Sequence, residues 1–415
     1  MELLRHEQPL IEESLAAFPV VLLTGARQVG KTTLVRRLAR GPWGARYVTL
    51  DDPLVREAVA RDPDGFLAAQ STPLVLDEVQ VVPDLLRAVK LRVDRDRSPG
   101  QYLLTGSANV LAMRQVEESL AGRVAIHELL PLSLSEMLGH AAGSSPLDLL
   151  FSAESAEHLL VSLQSSPRPS VDLPARVLAG GYPTPALADS QRVRARWFQS
   201  YVQSYVERDV PAIAGIQFLG SFQRLVSLLL LRSGNLLNVM DLARVLGLPA
   251  STVHRYVDLL RITYQVALLS PLAVNPEKRV VKTPKVYGGD SGLTAAVTGA
   301  ATWEDLLRDG RAGALFETWV YGELRKLLSL GVATTELSFW RKHPGPEVDF
   351  VLRRGSALVA IEVKSSLTGR RDALRSLDAL AREEALRLGV VLHMGEAAAV
   401  LSPRVAALPA AWLFG

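Results

Sequence analysis

The 415-residue chain contains no cysteine. This absence excludes a disulfide-stapled scaffold, thiolate zinc sites, iron–sulfur clusters and a cysteine nucleophile. The seven histidines form no cluster at metal-ligand spacing, and no Ser/His/Asp triad can be argued from them. A charge excess of one sign is also missing, because 46 basic and 43 acidic residues leave a net charge of +3. The overall charge therefore does not by itself point to nucleic acid or to an anionic membrane.

Long apolar runs are scarce as well. The longest uncharged candidate, residues 262–276, is interrupted by proline and falls short of the roughly 20 residues that a membrane-spanning helix needs. Residues 1–7 are too charged to begin a signal peptide. We therefore expect a cytoplasmic protein with no membrane partner.

Hydrophobic residues, in contrast, make up 48% of the chain, and its length predicts about two to four domains. Over the first ~140 residues, strand-like apolar runs alternate with helical patterns. This alternation is typical of parallel βαβ units, so an α/β fold with a parallel sheet is predicted. The runs lie at residues 19–24, 46–51, 73–76, 101–105 and 124–129.

The strongest motif is a phosphate-binding loop between a predicted buried strand and a predicted helix. Residues 25–32 match the pattern G-x-x-x-x-G-K-[ST] in full. Such glycines let backbone N–H groups close around phosphates, and the helix N-terminus adds positive potential. We expect Lys31 to neutralise the β and γ phosphates and Thr32 to ligate Mg²⁺. The predicted nucleotide-binding residues of the loop are Gly25, Ala26, Arg27, Gln28, Val29, Gly30, Lys31, Thr32 and Thr33.

Two acids, Asp77 and Glu78, follow the apolar run at residues 74–76. At the carboxyl edge of a parallel sheet, Asp77 can hold the water shell of magnesium and Glu78 can polarise an attacking water. The pair therefore favours hydrolysis of the nucleotide over passive binding.

Small polar residues follow the next predicted strand. Ser107 or Asn109 is expected near the γ-phosphate, where it would sense the loss of that phosphate. Thr105 is an alternative, because a shift of one residue changes which side chain points inward. A hydrogen-bonded turn explains the same residues equally well.

Arg123 precedes the last strand of this region. One interpretation is an arginine finger that acts in trans, and the other is a structural ion pair. Arg208 is a second candidate for a contact in trans, with a helix-surface ion pair as the alternative.

These elements resemble the AAA+ group of P-loop ATPases. More narrowly, they resemble a two-part family that joins an N-terminal AAA-type ATPase domain to a C-terminal domain called DUF4143. Nearly the whole chain takes part in the resemblance, through residues 24–33, 76–80, 103–109, 119–123, 180–183, 205–209 and 285–287. With the motifs above, it predicts ATP and Mg²⁺ as cofactors. We also expect a homo-oligomer, with a hexameric ring as one arrangement.

A helix-turn-helix pattern lies in the middle of the chain. Residues 239–246 have helical apolar spacing, residues 247–249 break it, and Ser251 is placed to cap a second helix. The apolar strands that follow could form the wing of a winged helix. From residue 190 to 290 there are 13 Lys and Arg against 6 Asp and Glu. If the second helix enters a major groove, its DNA-binding residues are Thr252, His254, Arg255 and Arg261. Packing against protein is the alternative use of the motif.

The C-terminal region contains an acid–lysine pattern. Two antiparallel strands are predicted to bring Asp349 near Glu362, and Lys364 lies two residues further on the same face. Two carboxylates and a lysine can hold Mg²⁺ and activate water for phosphodiester attack, and Glu317 could add a third carboxylate. The pattern is similar to the PD-(D/E)xK nuclease superfamily, although a Pro-Asp dipeptide is absent because Glu347 follows the proline. An active nuclease and an inert DNA-binding or scaffold module both fit it.

Four domains are predicted on these grounds: an AAA-type ATPase core at 1–140, a helical lid or connector at 141–235, a winged-helix domain at 236–290 and a nuclease-like domain at 291–415. The leading functional hypothesis is Mg²⁺-dependent ATP hydrolysis coupled to binding, movement or remodelling of duplex or branched DNA, with DNA cleavage as an option. An ATP-driven signalling or defence switch and a winged-helix transcription regulator are the alternatives.

Overall fold

A computed structural model describes residues 3–107, 122–140, 145–164, 170–210, 216, 218–272, 283–331, 333–342, 344–365 and 370–415. The chain divides into two compact units. The first comprises residues 1–132 with 262–264, and the second comprises residues 133–261 and 265–415. No helix in these described stretches is long and apolar enough to cross a membrane.

The first unit consists of a sheet with helices packed against it. Its helices are α1 (Glu7–Ala17), α2 (Lys31–Arg40), α3 (Pro53–Arg61), α4 (Pro63–Ala68) and α5 (Asp84–Arg95), with a 3₁₀ turn at Val79–Val81. Its strands are β1 (Val20–Thr24), β2 (Arg46–Thr49), β3 (Leu74–Asp77), β4 (Tyr102–Thr105) and β5 (Val124–Glu128).

The five strands are parallel and lie in the order β2-β3-β4-β1-β5, which confirms the predicted parallel sheet. Every residue of β1, β3 and β4 is buried. Such continuous apolar runs are typical of a parallel sheet that is covered on both faces. Because β4 lies between β1 and β3, the carboxyl ends of these three strands are neighbours. The residues that follow them therefore share one edge of the sheet.

The second unit begins with helices. They are α6 (Leu134–Met137), α7 (Pro146–Ser152), α8 (Ala156–Gln164), α9 (Leu173–Ala179), α10 (Pro183–Ala186), α11 (Gln191–Tyr201), a π-helical segment (Val202–Asp209), α12 (Leu219–Leu231), α13 (Val239–Leu246) and α14 (Ala250–Ile262). Next come β6 (Val266–Leu269), β7 (Lys285–Gly288), α15 (Ser291–Thr298), α16 (Trp303–Arg308) and α17 (Ala312–Leu330). The last elements are β8 (Glu336–Arg341), β9 (Glu347–Arg354), β10 (Ala357–Lys364), α18 (Arg370–Glu383), β11 (Leu386–His393), β12 (Ala399–Ser402), β13 (Val405–Pro409) and α19 (Ala410–Phe414).

Helices α13 and α14 are followed by an antiparallel pair of strands, β6 and β7. The Asn238 side chain caps α13 by accepting a hydrogen bond from the Asp241 N–H, and Gly247 ends the helix at φ 64°. In α14 the predicted apolar face is buried, including Val253, Tyr256 and Leu260. An isolated bridge joins Leu236, just before α13, to Lys285 of β7.

A six-stranded mixed sheet forms the last part of this unit, in the order β12-β13-β11-β10-β9-β8. Strands β9 and β10 pair antiparallel, as the pattern predicts, whereas β10 and β11 are parallel and α18 connects them. The N–H of Leu272, beyond β6, donates to the carbonyl of Phe339 in β8 at 2.6 Å. The β6–β7 hairpin is thereby attached to the edge of the large sheet.

Candidate functional site: a phosphate-binding loop and an acid–lysine cluster

The loop between β1 and α2 requires glycine at both ends. Gly25 has φ +143°, and a Cβ atom there would lie 2.3 Å from the carbonyl oxygen of Leu129. Gly30 precedes α2 in the left-handed conformation, with φ 101°. Side chains would be strained at both positions, so the motif glycines are explained by the backbone path. Among the other loop residues, Ala26 and Val29 are buried, whereas Arg27, Gln28 and Thr33 are exposed.

Lys31 begins α2 and is folded back onto the loop. Its ammonium donates to the carbonyl oxygens of Gly25, at 2.8 Å, and Ala26, at 2.9 Å. Burial lowers the pKa of Lys31 to about 8, although Glu78 and Asp77 oppose that shift. The lysine is therefore held at the phosphate loop by weak acceptors that an anion could replace.

Asp77, at the end of β3, is the centre of a hydrogen-bond network. Its Oδ2 accepts from the Thr32 hydroxyl at 2.9 Å and from the Tyr47 hydroxyl at 2.5 Å. Its Oδ1 accepts from Thr105. Burial and the bond to Asp77 raise the pKa of Tyr47 to about 12. The oxygen donors of Thr32 and Asp77 lie together as a magnesium site requires.

Glu78 follows in the left-handed conformation, at φ 63° and ψ 46°. Its N–H donates to the Thr105 hydroxyl at 3.1 Å. The Gln80 amide donates both to the Glu78 carboxylate and, at 3.0 Å, to the Ser107 hydroxyl. Thr105 and Ser107 are thus both connected to the acidic pair, Thr105 directly and Ser107 through Gln80. Asn109 lies outside the described residues.

Sequence reasoning assigned no role to Tyr47 or Gln80. Gln80 lies within residues 76–80, which carry part of the family resemblance. Nothing else in the sequence indicates a role for Gln80 at the site. Tyr47 lies on β2, and its sequence neighbourhood gives no indication that it reaches Asp77.

Arg123 pairs with Asp94 of α5, and about a quarter of the Arg123 side chain and a third of the Asp94 side chain are exposed. Arg123 therefore has an ion-pair partner within the chain. Its role as an arginine finger in trans stays a prediction. The side chain of Arg208 lies outside the described set.

The acid–lysine residues of the C-terminal sheet come together. Asp349 on β9 accepts a hydrogen bond from the Val363 N–H of β10 at 2.8 Å. On β10, Lys364 donates to Glu362 at 2.8 Å. Burial, followed by the nearby Asp349 carboxylate, raises the pKa of Glu362 and likewise that of Glu317 on α17. The four predicted residues therefore form one electrostatic cluster, to which Glu347 of β9 also belongs.

A second lysine, which sequence reasoning assigned only to a family-matching run, stands inside this cluster. The Lys285 ammonium lies 3.1 Å from Glu317, 2.5 Å from Glu347 and 3.8 Å from Asp349. Burial alone would lower the pKa of Lys285, but the three carboxylates together raise it. Across the described stretches, no three His, Cys, Asp or Glu residues are grouped so that they could hold a metal ion. Lys285 is therefore a second lysine ammonium among these carboxylates, beside Lys364.

The predicted DNA-facing residues of α14 lie on its outer surface. His254, Arg255 and Arg261 are exposed, and Thr252 is half-buried. Arg261 pairs with Asp258 at 3.0 Å, and the Arg255 guanidinium stands over the ring of Tyr256. These side chains are accessible to a partner along one helix face.

Three domain models match the chain. An AAA domain matches residues 17–138, a domain of unknown function called DUF8612 matches residues 170–304, and DUF4143 matches residues 312–413. Two relatives, Rv2008c of Mycobacterium tuberculosis and Mb2031c of Mycobacterium bovis, are each 31% identical over 403 residues, covering 96% of this chain and 82% of the relative. The chain belongs to this family of AAA-domain and DUF4143 proteins. Its N-terminal region is a P-loop AAA ATPase domain, which confirms that part of the predicted resemblance.

More distant similarities extend to archaea and to solved structures. MJ1544 of Methanocaldococcus jannaschii is 22% identical over 355 residues, covering 82% of this chain and 74% of its own. The Walker-type ATPase PABY2304 of Pyrococcus abyssi is 17% identical with a TM-score of 0.38, covering 71% of this chain and 95% of that one. DnaA from Aquifex aeolicus, bound to AMPPCP, is 12% identical with a TM-score of 0.24, and the match covers 61% of this chain and 86% of the DnaA chain.

Proposed function

We propose that this AAA and DUF4143 family member is a magnesium-dependent ATPase whose nucleotide cycle is coupled to binding and to movement or remodelling of DNA. The observation that carries the ATPase part is the convergence of Thr32, Tyr47 and Thr105 on Asp77, next to Glu78. A site that only binds nucleotide would not need a second carboxylate beside Asp77. Here Glu78 is that second carboxylate, and the Gln80 amide orients it by a hydrogen bond.

The residues have separate tasks in the proposed reaction. Lys31 would leave the carbonyl oxygens of its own loop and contact the phosphates, which are stronger acceptors. Thr32 and Asp77 would hold Mg²⁺, which would neutralise charge on the phosphates. Glu78 would orient the attacking water and take its proton. Thr105 and Ser107 would report the presence of the γ-phosphate, because binding of that phosphate would change the partners of Asp77, Glu78 and Gln80, which they contact.

Contact with DNA is proposed through α14. The order of α12, the bridged residue Leu236, α13, α14 and the β6–β7 hairpin is the order of elements in a winged helix, which supports that interpretation. The exposed face with His254, Arg255 and Arg261 would then enter the major groove. The division of the second unit near residues 235 and 290 remains part of this proposal.

A nuclease-like role is proposed for the DUF4143 region. The order α17-β8-β9-β10-α18-β11 and the placement of Asp349, Glu362 and Lys364 on adjoining strands support it. If the site cleaves DNA, Asp349→Ala and Lys364→Ala should each abolish metal-dependent cleavage. Cleavage that survives both changes would reject the assigned residues.

The deciding experiment measures ATP turnover without DNA and with duplex, single-stranded and branched DNA, with the cleavage products examined from the same reactions. Lys31→Ala is the control and should remove turnover while the protein stays folded. DNA-stimulated turnover supports the proposal. Absence of DNA binding in every nucleotide state would reject the DNA part, and turnover by Lys31→Ala would reject the phosphate-loop assignment.

A second candidate is a nucleotide-driven switch whose DUF4143 region binds a partner without cleaving it. The position of Lys285 among the carboxylates favours this candidate, because Glu317, Glu347 and Asp349 are already paired with a lysine ammonium. Slow turnover that is independent of DNA, with a nucleotide-dependent change in particle mass, would distinguish the switch from the DNA motor.

A further inference from the structure

A cavity of about 400 Å³ lies within the second unit, among residues of α6, α9, α10 and α11. Its volume is within the range of roughly 300–1,000 Å³ that is usual for small-molecule sites. Part of its wall is apolar, because Met137 and Ala179 line it and are buried, and Leu187 lines it with about half of its surface exposed. The cavity therefore offers a ligand an apolar surface of limited size.

Two half-buried arginines line the cavity, and neither pairs with a carboxylate of the described residues. Arg194 on α11 donates to the carbonyl oxygens of Pro185, at 3.3 Å, and Ala188, at 3.2 Å. Arg176 on α9 donates to the carbonyl oxygen of Ala186 at 3.5 Å. Burial, followed by the charge of Arg176, lowers the pKa of Arg194. Each guanidinium has five N–H groups, so an anion in the cavity could accept from both arginines and balance their charge.

Two aspartates line the same cavity. Asp172 caps α9, where it accepts from the Ala175 N–H at 3.1 Å. Asp189 is exposed and forms no hydrogen bond or ion pair with the part of the chain that the structure describes. It follows Ala188, whose carbonyl oxygen accepts from Arg194, so its carboxylate lies near that guanidinium without pairing with it. A ligand with a negative and a positive group would satisfy both, whereas a simple anion would face the aspartates uncompensated.

We propose that this cavity binds a small zwitterion of the α-amino acid class with an apolar side chain. The ligand carboxylate accepts hydrogen bonds from Arg194 and Arg176, which replace or supplement their backbone carbonyl partners. The ligand ammonium pairs with Asp189, and the ligand side chain lies against Met137 and Leu187. The inference does not depend on the proposed ATPase, DNA-binding or nuclease-like activities, because none of the residues assigned to them lines the cavity.

The test is binding of L-leucine to the full-length protein, without nucleotide or DNA, measured by calorimetry and by saturation-transfer NMR. We expect one site per chain with a Kd below about 1 mM. Two analogues separate the charges of the ligand. Leucinamide lacks the carboxylate and 4-methylpentanoate lacks the ammonium, so each should bind at least about tenfold more weakly than leucine.

Two variants assign the binding to named side chains. Asp189→Asn should weaken leucine binding by about tenfold and should not weaken binding of 4-methylpentanoate, because it removes only the partner of the ammonium. Arg194→Lys should weaken binding of both compounds, since an ammonium cannot replace the fork of a guanidinium. The matched controls are Asp378→Asn and Arg192→Lys, which change exposed residues that do not line the cavity.

Three results would overturn the inference. The first is a folded protein that shows no leucine binding in the millimolar range. The second is binding of 4-methylpentanoate or leucinamide as tight as that of leucine, because the site would then need only one of the two charges. The third is leucine binding that Asp189→Asn leaves unchanged, or that Asp378→Asn weakens equally. If Arg194→Lys does not fold, Asp189→Asn decides alone, since that exposed carboxylate holds no described residue in place.

Discussion

At the scale of single residues, we expect Lys31 to make nucleotide binding depend on pH. Burial lowers the pKa of its ammonium to about 8 in the free site, whereas phosphates would raise it. Above about pH 8, ATP binding must therefore take up a proton. We expect the dissociation constant for ATP to rise by up to about tenfold per pH unit above that point, and to be nearly constant below it.

The measurement is ATP affinity across this pH range, with calorimetry in buffers of different ionisation enthalpy to count the protons taken up. Because burial opposes the charged form, Lys31 also weakens the stability of the nucleotide-free protein below about pH 8. This penalty is relieved as the pH rises toward the ordinary lysine pKa of 10.5. An affinity that is independent of pH, with no proton uptake, would contradict the role given to Lys31.

Gln80 is proposed as a positioning residue in the same site. Its amide holds the Glu78 carboxylate and the Ser107 hydroxyl, so it fixes the direction in which Glu78 points. Gln80→Ala should lower kcat by about tenfold or more and change KM little, because it disturbs the proposed base and leaves the phosphate loop intact.

Steady-state ATPase kinetics test this expectation, with thermal unfolding as the check on structure. Ser107→Ala is the companion variant, since it removes one end of the same link and should give a smaller loss of kcat. A kcat equal to that of the unsubstituted enzyme, or a loss that appears only in KM, would contradict the assignment.

At the scale of elements, the Gly-Gly-Tyr-Pro run at residues 180–183 connects α9 to α10 and contacts the start of α15. Gly180 has φ +66°, and a Cβ atom there would lie 2.1 Å from the Asp290 carboxylate. Asp290 is buried, caps α15 through the Leu293 N–H and accepts from Gly181 at 2.7 Å. Gly180→Ala should therefore cost several kcal/mol of unfolding free energy, since it combines backbone strain with a clash against a buried cap.

Urea unfolding would measure that loss. The matched control is Gly299→Ala at the other end of α15, where φ is +73° but no described atom lies within 4 Å of the added Cβ. Its cost should be only that of the left-handed conformation, about 1–2 kcal/mol. Equal losses in the two variants would show that the contact with Asp290 contributes nothing.

These elements also show what sequence can predict and where it stops. The phosphate loop of the first unit and the helix break at Gly247 are local patterns, because residue type fixes φ within a few positions. The cap predicted at Ser251 is wrong, because α14 begins one residue earlier, at Ala250. The partners of Asp77 and of the acid–lysine cluster are not local. Tyr47 reaches Asp77 from a neighbouring strand, and Lys285 reaches Asp349 across 64 positions of sequence. No periodicity encodes such contacts, since they depend on how distant elements pack.

At the scale of the whole molecule, the net charge of +3 conceals an uneven distribution. The 190–290 segment alone has 13 Lys and Arg against 6 Asp and Glu, so the remaining residues are acidic on balance. If DNA binds along α14, phosphate contacts by this segment should make its affinity strongly dependent on salt.

We therefore expect the double variant Arg255→Ala with Arg261→Ala to weaken DNA binding and to reduce the slope of log affinity against log salt by about two, roughly one for each phosphate that an arginine no longer neutralises. Fluorescence anisotropy with a labelled duplex at several salt concentrations measures both quantities. Arg308→Ala is the control, because this exposed arginine carries the same charge on α16 and pairs with Asp305. An unchanged slope in the double variant, or an equal change in the control, would mean that α14 does not contact the phosphates. The helix-turn-helix would then serve protein packing, and the nucleotide-driven switch would become the better account of the molecule.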